Sequence, residues 1–279
     1  MKDAIGDRMK AAYEDRTRTY LPRRTYTIIR LDGRSFHTYT RGLERPFDMG
    51  LIEDMDDTAA YLCKNIQGAK FAFVQSDEIS ILLTDFDNIN TSAWFDGNIQ
   101  KIASIAASMA TAEFNRLRMV RMVNESISVD GGIVSIRPYM SILMNMKPAM
   151  FDARVFSIPS KTEVGNYFLW RQQDTTRNSI SSVAQSLYSH KELMNKNMSE
   201  QQEMIFQKGI NWNDYDAKLK RGRLIDKVTL VLDTIPLDSN KKIVKNEIVE
   251  FKRSVWMSIE CPIFTQDWEF LYSRIPDNK

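Results

Sequence analysis

Two apolar runs joined by a short acidic turn constrain the fold of this 279-residue chain most strongly. The runs KFAFV and ISILL are rich in aromatic and β-branched residues and flank the stretch QSDE, so they predict a pair of strands joined by a tight turn. Most such turns use Asn-Gly or Asp-Gly, whereas this one places Asp77 beside Glu78. These adjacent carboxylates either face water or hold a positively charged group between them.

The segments around this hairpin alternate between strand and helix patterns. YTIIRLD, residues 26–32, predicts a strand that ends in Asp32. Apolar residues then recur at steps of three and four from Ile52 to Ile66, which predicts a helix with Asp48 as its N-cap. An alanine-rich helix over about residues 93–118 follows the hairpin, and FDARVFSI, residues 151–158, predicts another strand. The resulting order, β-α-β-β-α-β, is that of a ferredoxin-like unit, and it predicts an α+β fold.

The flanking regions add further elements to this unit. A helix is predicted over about residues 2–16, and helical patterns return from about 163 to 208. The last part of the chain predicts strands around TLVLDTI and KNEIVEFKRSVWMSI, whereas residues 120–150 are methionine-rich and give no clear pattern. We therefore expect a catalytic unit over residues 1–160 and a helical and strand-containing extension over 161–279.

Composition limits the class of protein without deciding its function. A hydrophobic content of 43% with 27% charged residues is ordinary for a globular protein, and a net charge of +2 is too small to indicate nucleic-acid binding by itself. Basic clusters at residues 16–24, 218–223 and 241–245 could follow a phosphate backbone or could simply be solvated. Two cysteines outside any CxxC motif, no membrane-length apolar run and no signal-like N-terminus predict a cytoplasmic protein without membrane contact.

The acidic turn has a plausible partner at the end of the first predicted strand. In a β-α-β-β unit the first and third strands are neighbours, so Asp32 can approach Asp77 and Glu78. Mg²⁺ favours a few carboxylates together with water and phosphate oxygens, and two such ions can support nucleotidyl transfer. Gly33 would let a metal or phosphate approach the backbone. Acids at strand ends are common, so a solvated acidic edge is the alternative.

Five motifs occurring in one order carry a specific resemblance. They are LDGRSFH, RPFD, VQSDEIS, FDARV and YFLWRQQDTTRNSI, at residues 31–37, 45–48, 74–80, 151–155 and 167–180. In this order they resemble the tRNA-His guanylyltransferase family and its relatives, the 3′-to-5′ reverse polymerases. The resemblance implies a polymerase-palm catalytic domain over residues 1–160 and an extension for RNA and nucleotide contacts over 161–279. It also implies that Asp32, Gly33 and Asp77 hold two Mg²⁺ ions and that Glu78 takes part in catalysis.

The same resemblance implies roles for residues other than Asp32 and Asp77, which we call the acidic pair. Arg34, Ser35, Phe36 and His37 would lie along the nucleotide triphosphate. Asp48 would read the incoming base, although Arg45 and Phe47 depart from the Lys and Asn of the family's KPND motif. Ser76 and Lys101 would sit near a second triphosphate. A simple helix cap at Asp48, a hydrogen-bonded His37 and a solvated Lys101 are the structural alternatives.

Contacts to tRNA or to its activated end are implied for a further group of residues: Arg154, Arg171, Asp174, Asn178, Lys220 and Arg223. On the helix that carries WRQQDTTRNSI, positions 171, 174 and 178 share one face. Eukaryotic members that guanylylate tRNA-His carry HINN where this chain has TRNS, residues 176–179, so only Asn178 is kept. This departure resembles the bacterial guanylyltransferase-like proteins.

The implied activity is template-dependent addition of nucleotides to the 5′ end of truncated tRNA, with ATP and GTP among the substrates. The implied assembly is a homotetramer, a dimer of dimers. Addition of the extra 5′ G to tRNA-His is the alternative within the family. Another palm-type nucleotidyl enzyme, such as a nucleotide cyclase, is the enzymatic alternative. A non-catalytic RNA-binding module that exposes Phe71 and Phe73 on its sheet is the alternative from another class.

Overall fold

The centre of the molecule is an antiparallel sheet. The computed structural model describes residues 3–126, 129–130, 133–134, 147–234 and 249–278. The strands are β1 Tyr26–Gly33, β2 Ala69–Gln75, β3 Glu78–Leu83, β4 Val129–Asp130, β5 Ile133–Val134, β6 Phe151–Ile158, β7 Arg223–Thr234 and β8 Val249–Glu260. The main sheet has the order β6-β1-β3-β2-β7-β8, and β4 pairs with β5 separately. β1 lies between β3 and β6, as the predicted unit requires.

Helices and short turns complete the order of elements. The α-helices are α1 Ala4–Met9, α2 Phe36–Tyr39, α3 Met49–Asn65, α4 Ile99–Ser126, α5 Lys161–Leu187, α6 His190–Leu193, α7 Met198–Gln207, α8 Ala217–Lys220 and α9 Trp268–Tyr272. A π-helical turn at Lys10–Glu14 and 3₁₀ turns at Asp15–Thr17, Trp94–Gly97 and Trp212–Asp214 are also present. The order β1-α3-β2-β3-α4-β6 confirms the predicted β-α-β-β-α-β unit and the α+β class.

Each face of the sheet is covered by helices. Alternate residues of β1 point to opposite faces, so Ile29 and Leu31 join Met55 of α3 and Phe114 of α4 in one buried cluster. On the other face, Ile28 packs in a second cluster with α5 and the C-terminal segment. α5 starts at the N-cap Ser160, whose hydroxyl accepts a hydrogen bond from the Glu163 N–H at 3.3 Å.

The two phenylalanines of β2 belong to this second cluster. Phe71 packs on Phe168 of α5, with ring centroids 4.7 Å apart, and Phe73 packs on Phe264 at 6.1 Å. Both side chains are fully buried, because α5 and the C-terminal segment cover this face of the sheet. The alternative in which these rings stack on RNA bases is therefore wrong.

The chain beyond residue 160 continues the sheet. The first residues of β7, Arg223 to Ile225, pair with Val74 to Ala72 of β2, and the rest of β7 pairs with β8. The extension predicted over 161–279 thus adds two strands at one edge and covers one face with α5.

The cysteines and the helices of the described residues have the following properties. Cys63 and Cys261 are buried free thiols. In the described ranges, every helix is too short or too polar to cross a bilayer.

Candidate active site

The acidic pair forms where β1 ends beside the β2–β3 turn. Asp32 lies directly opposite Glu78 in the register of β1 and β3. One residue further, the Gly33 N–H donates a hydrogen bond to the Asp77 carbonyl oxygen at 3.0 Å. Ser76 takes a positive φ of 43°, which tightens the turn between the strands. The predicted convergence of Asp32 and Asp77 therefore follows from strand pairing.

The environment of Asp77 suits a cation. Burial raises the pKa of the Asp77 carboxyl above its usual range, and the negative charges of Asp32 and Glu78 raise it further. Hydrogen bonds from the Ser76 side chain and the Asp77 backbone oppose these effects. A positive ion at this position would relieve the repulsion between the carboxylates.

The donor set fits Mg²⁺ only if substrate and water supply the remaining ligands. Within the described part of the chain, no group of three or more His, Cys, Asp or Glu side chains could by itself hold a metal ion. Mg²⁺ commonly binds through one or two carboxylates together with water and substrate phosphates, so Asp32, Asp77 and the backbone of Gly33 form a suitable partial shell.

Glu78 is tied into a buried ion-pair cluster. Its carboxylate accepts hydrogen bonds from Arg171 Nε at 2.8 Å and Nη2 at 2.9 Å, and it forms an ion pair with Arg30 Nη2 at 2.6 Å. Gln75 and Ser80 donate further hydrogen bonds to the same carboxylate. Because both oxygens already have partners, Glu78 positions the turn that carries Asp77 and is not free to bind a metal in this arrangement.

The loop after β1 places one predicted triphosphate contact in the core. Phe36 is buried and packs on Phe114 and Phe151, with ring centroids 5.7 and 5.3 Å away. A Cβ on Gly33 would lie 2.3 Å from this ring. The structure therefore corrects one expectation, because the Phe36 side chain packs in the core and does not face a triphosphate. The ring also gives a packing reason for the glycine at position 33, and the approach of a metal or phosphate to its backbone stays a prediction.

Arg34, Ser35 and His37 are exposed in this loop. Ser35 has a φ of 56° and begins α2, while His37 Nε2 lies 3.0 Å from the Thr38 hydroxyl. Ser35 and His37 line a cavity of about 550 Å³ that also contains Gly33 and Asp77. Their predicted contact with the triphosphate is compatible with this placement and remains a prediction.

Asp48 caps α3, as predicted. One carboxylate oxygen accepts the Leu51 N–H at 2.7 Å, and the other accepts the Glu44 N–H at 3.2 Å. Arg118 lies 3.7 Å from the same side chain. Asp48 also lines the 550 Å³ cavity, so the cap holds its carboxylate at the wall of the cleft. The predicted base-reading role remains untested by this geometry.

Helix α5 forms the opposite wall of the cleft. A second cavity of about 360 Å³ contains Asp32, Asp77 and the predicted polar face of α5, at Arg171, Asp174 and Asn178. It shares Ser182 and Gln185 with the first cavity. These two residues were not predicted from the sequence, although both continue the polar face of the helix: Ser182 lies four residues after Asn178, and Gln185 lies three residues after Ser182.

The other predicted RNA contacts divide into exposed and buried groups. Arg154 is exposed on β6, whereas Arg171 is bound to Glu78 and Asp174. Arg223 is also buried, and its Nε lies 2.6 Å from Asp56. The Lys220 ammonium donates to the Asn213 carbonyl oxygen and lies 5.5 Å from the Trp212 ring. The expected RNA contacts of Lys220 and Arg223 are corrected, because these cations are used inside the fold.

Lys101 lies away from the acidic pair within one chain. It belongs to the first turn of α4, where its ammonium is 4.6 Å from the Phe95 ring. The Thr111 hydroxyl, ten residues later, accepts a hydrogen bond from the Phe151 N–H, and Phe151 lies opposite Gly33 at the cleft end of the sheet. Ten residues of helix span about 15 Å. The structure therefore does not bring Lys101 together with Ser76.

A known protein family matches the part of the chain that carries this site. The family model described as tRNAHis guanylyltransferase (Thg1) matches residues 6–159, more than half of the chain. This chain belongs to the tRNA-His guanylyltransferase family. Members are nucleotidyltransferases that act on tRNA, and the acidic pair of this member lies within the matched region.

Relatives support the same assignment. An uncharacterized protein of Acanthamoeba polyphaga mimivirus is 28% identical over 84% of this chain and 81% of its own length. A probable tRNA(His) guanylyltransferase of Dictyostelium discoideum is 25% identical over 72% of this chain and 75% of its own length. The tRNA(His) guanylyltransferase of Debaryomyces hansenii is 26% identical over 72% and 73%, respectively.

Solved structures extend the similarity over almost the whole chain. A bacterial tRNA(His) guanylyltransferase (Thg1)-like protein in complex with ATP has a TM-score of 0.76 and 38% identity, covering 98% of this chain and 99% of that one. A complex of such a protein with GTP has a TM-score of 0.73 and 39% identity, with the same coverage. These matches confirm the predicted fold and family.

Proposed function

We propose that this nucleotidyltransferase adds nucleotides in the 3′-to-5′ direction to the 5′ end of tRNA, using the opposite strand as template, and that it repairs truncated tRNA. The observation that carries this proposal is the convergence of Asp32 and Asp77 on one cleft whose other wall is α5. The bacterial structures similar to this chain contain ATP or GTP, which supports nucleotide substrates.

The direction of growth requires an activated acceptor. A 5′-monophosphate has no leaving group, so its oxygen first attacks the α-phosphate of ATP, which forms an adenylylated end and releases pyrophosphate. The 3′-hydroxyl of the incoming nucleotide then attacks the RNA 5′-phosphate, and AMP leaves. With a triphosphorylated end, the second step releases pyrophosphate directly.

The residues of this chain would contribute mainly position and charge. Asp32, Asp77 and the backbone of Gly33 would hold Mg²⁺, which would supply activation of the attacking oxygen and stabilisation of the leaving phosphate. Glu78, fixed by Arg171 and Arg30, would keep the turn at Asp77 in register with Asp32. Exposed Ser35 and His37 would orient the triphosphate along the cavity that they share with Asp77.

The departure from HINN favours repair over exclusive action on tRNA-His. Of the residues in TRNS, Asn178 lines the cleft. The Thr176 hydroxyl donates to the Gln172 carbonyl oxygen, and the Ser179 hydroxyl accepts the Trp212 indole N–H at 3.0 Å. Base choice would therefore come mainly from pairing with the template strand. A homotetramer and a cytoplasmic location complete the proposal.

The test uses two RNAs with Mg²⁺, ATP and all four nucleoside triphosphates. One is a 5′-monophosphorylated tRNA lacking its first nucleotide, and the other is full-length tRNA-His. We expect templated extension of the truncated RNA, measured at single-nucleotide resolution, and loss of that product in Asp77→Asn. Asp87→Asn is the matched control, because Asp87 pairs with Lys70 beyond the far end of β3.

Addition to tRNA-His alone would show that the enzyme is a guanylyltransferase of the tRNA-His type. Equal extension by wild type and Asp77→Asn would refute the role of the acidic pair. Absence of any product while nucleotide binding is retained would point to another palm-type nucleotidyl reaction.

A further inference from the structure

An exposed tryptophan stands beside the acidic cleft. Trp170 of α5 is 47% exposed, although its neighbours Phe168 and Arg171 are buried. Its ring lies 4.3 Å from the Arg171 guanidinium carbon and 6.0 Å from that of Arg30. An indole in this position is costly to leave in water and is also well suited to bind a flat ligand.

The ring of Trp170 rests on fixed groups. Arg171 is held by Glu78 and Asp174, with N–O distances of 2.8 Å, so its guanidinium is a rigid support for the indole. Tyr167 makes an edge contact with the same ring, with centroids 5.9 Å apart. A ring that is already oriented loses little conformational freedom when a ligand stacks on it.

An exposed positive charge lies on β6, the edge strand beside β1. Arg154 of β6 is directly opposite Arg30 of β1, and paired residues on antiparallel strands share one face. Arg154 is exposed and makes no ion pair within the described ranges. Arg30 thus links the two residues, since it lies 6.0 Å from the Trp170 ring and opposite Arg154. An aromatic ring and an exposed arginine on one face match the combination of stacking and phosphate binding that single-stranded nucleic acid requires.

The position of this surface relates it to the reacting groups. Asp32 follows Arg30 by two residues on the same face of β1, which corresponds to about 7 Å along the strand. A base stacked on Trp170 would therefore leave its nucleotide within reach of the acidic pair. A fully paired helix end offers fewer exposed base faces here, so the surface favours an unpaired nucleotide.

We propose that Trp170 is a stacking platform for an unpaired base at the acceptor end of the RNA substrate, with Arg154 contacting the adjacent phosphate. This inference rests on the proposed action on RNA ends and adds a binding residue to it. Trp170 lies within the motif at residues 167–180, but no role was predicted for it from the sequence.

The experiment measures equilibrium binding at one fixed salt concentration, because salt changes every RNA affinity. The probes are an acceptor-stem RNA hairpin with unpaired terminal nucleotides and the same hairpin with a blunt end, each with an internal fluorophore. We expect wild type to prefer the unpaired end. Trp170→Ala should bind that RNA about tenfold more weakly and lose the preference, whereas Trp170→Phe should stay within about threefold of wild type.

Phe206→Ala is the matched control, because Phe206 is a 64% exposed aromatic residue on α7. It should bind both RNAs as wild type does. ATP affinity is measured for every variant and should not change, and the circular dichroism spectrum should show that every variant is folded. A preference for the unpaired end that survives in Trp170→Ala would overturn the proposal.

A parallel loss of ATP affinity in Trp170→Ala would also overturn it, since it would show that the ring acts by supporting the Arg171–Glu78 ion pair beside the cleft. An alanine-like loss in Trp170→Phe would refute stacking as the cause. Because no reaction is needed, failure of tRNA extension together with Trp170-dependent RNA binding would refute the proposed function and leave this inference standing.

Discussion

Replacing Arg171 by methionine should destabilise the fold strongly. The side chains of Arg171 and Glu78 are only 3% and 6% exposed, so the substitution leaves a buried carboxylate with a single arginine partner, Arg30. Methionine retains much of the side-chain volume, so the effect reports mainly on the lost charge and hydrogen bonds.

The magnitude follows from the contacts that are lost. Arg171 donates two hydrogen bonds to Glu78, at 2.8 and 2.9 Å. Each charge-assisted hydrogen bond contributes about 1.5–3 kcal/mol, which gives about 3–6 kcal/mol for both. Breaking one partner of a buried ion pair costs about 3–5 kcal/mol, in agreement with this sum. For a chain of this size, the melting temperature should fall by roughly 6–20 °C.

The assay is urea or thermal unfolding of wild type, Arg171→Met, Glu78→Gln and the double variant, followed by circular dichroism. The double variant should be more stable than the sum of the single effects predicts, because both charges are then removed. Arg177→Met is the matched control on the same helix: Arg177 pairs with Asp174 at the surface, so its loss should cost at most about 1 kcal/mol. If Arg171→Met and Arg177→Met lower the free energy of unfolding equally, the claim that the buried Arg171–Glu78 pair holds the turn at Asp77 is refuted.

Three further predictions concern single positions of the cleft. Gly33→Ala should lower the free energy of chemical unfolding by about 1–3 kcal/mol, because the new Cβ meets the Phe36 ring. Adding Phe36→Leu should restore part of this loss; stability losses that simply add in the double variant would contradict this cause. Asp48→Ala should lose the helix cap and about 1 kcal/mol of stability, whereas Asp48→Asn should keep the cap and change only which nucleotide binds best in competition. An unchanged nucleotide preference in Asp48→Asn would refute base reading. Arg154→Met should reduce the slope of RNA affinity against salt concentration by about one phosphate contact, whereas Lys220→Met should leave this slope unchanged. Equal slopes for the two variants would contradict the assignment of Arg154 as exposed and Lys220 as buried.

Local patterns were sufficient to predict the central unit of the fold. Apolar spacing identified α3, alternating and β-branched runs identified the hairpin, and Asp48 satisfied the chemistry of a helix cap. The pairing of Asp32 with Glu78 followed from strand order, because a β-α-β-β unit places its first and third strands side by side. These features depend on short stretches of sequence or on a common topology, and both are visible without a structure.

Long-range partners could not be predicted in the same way. The cluster KLKRGR reads as a basic surface, yet Arg223 begins β7 and meets Asp56, which lies 167 residues earlier. Phe36 reads as part of a loop beside a phosphate, yet its ring fills the space above Gly33. The side chain of a charged or aromatic residue can serve either surface or core, and only the tertiary contacts decide which.

The cleft is built from residues on both sides of the predicted boundary near residue 160. Its acidic wall comes from β1 and the β2–β3 turn, and its other wall comes from α5, with Asn178, Ser182 and Gln185. The Glu78–Arg171 pair joins these walls, so the same contact that buries charge also sets the distance across the site. Because β7 in turn pairs with β2, the segment after 160 is held at both the face and the edge of the sheet. The carboxylates of Asp32 and Asp77 therefore depend for their position on residues from both sides of that boundary.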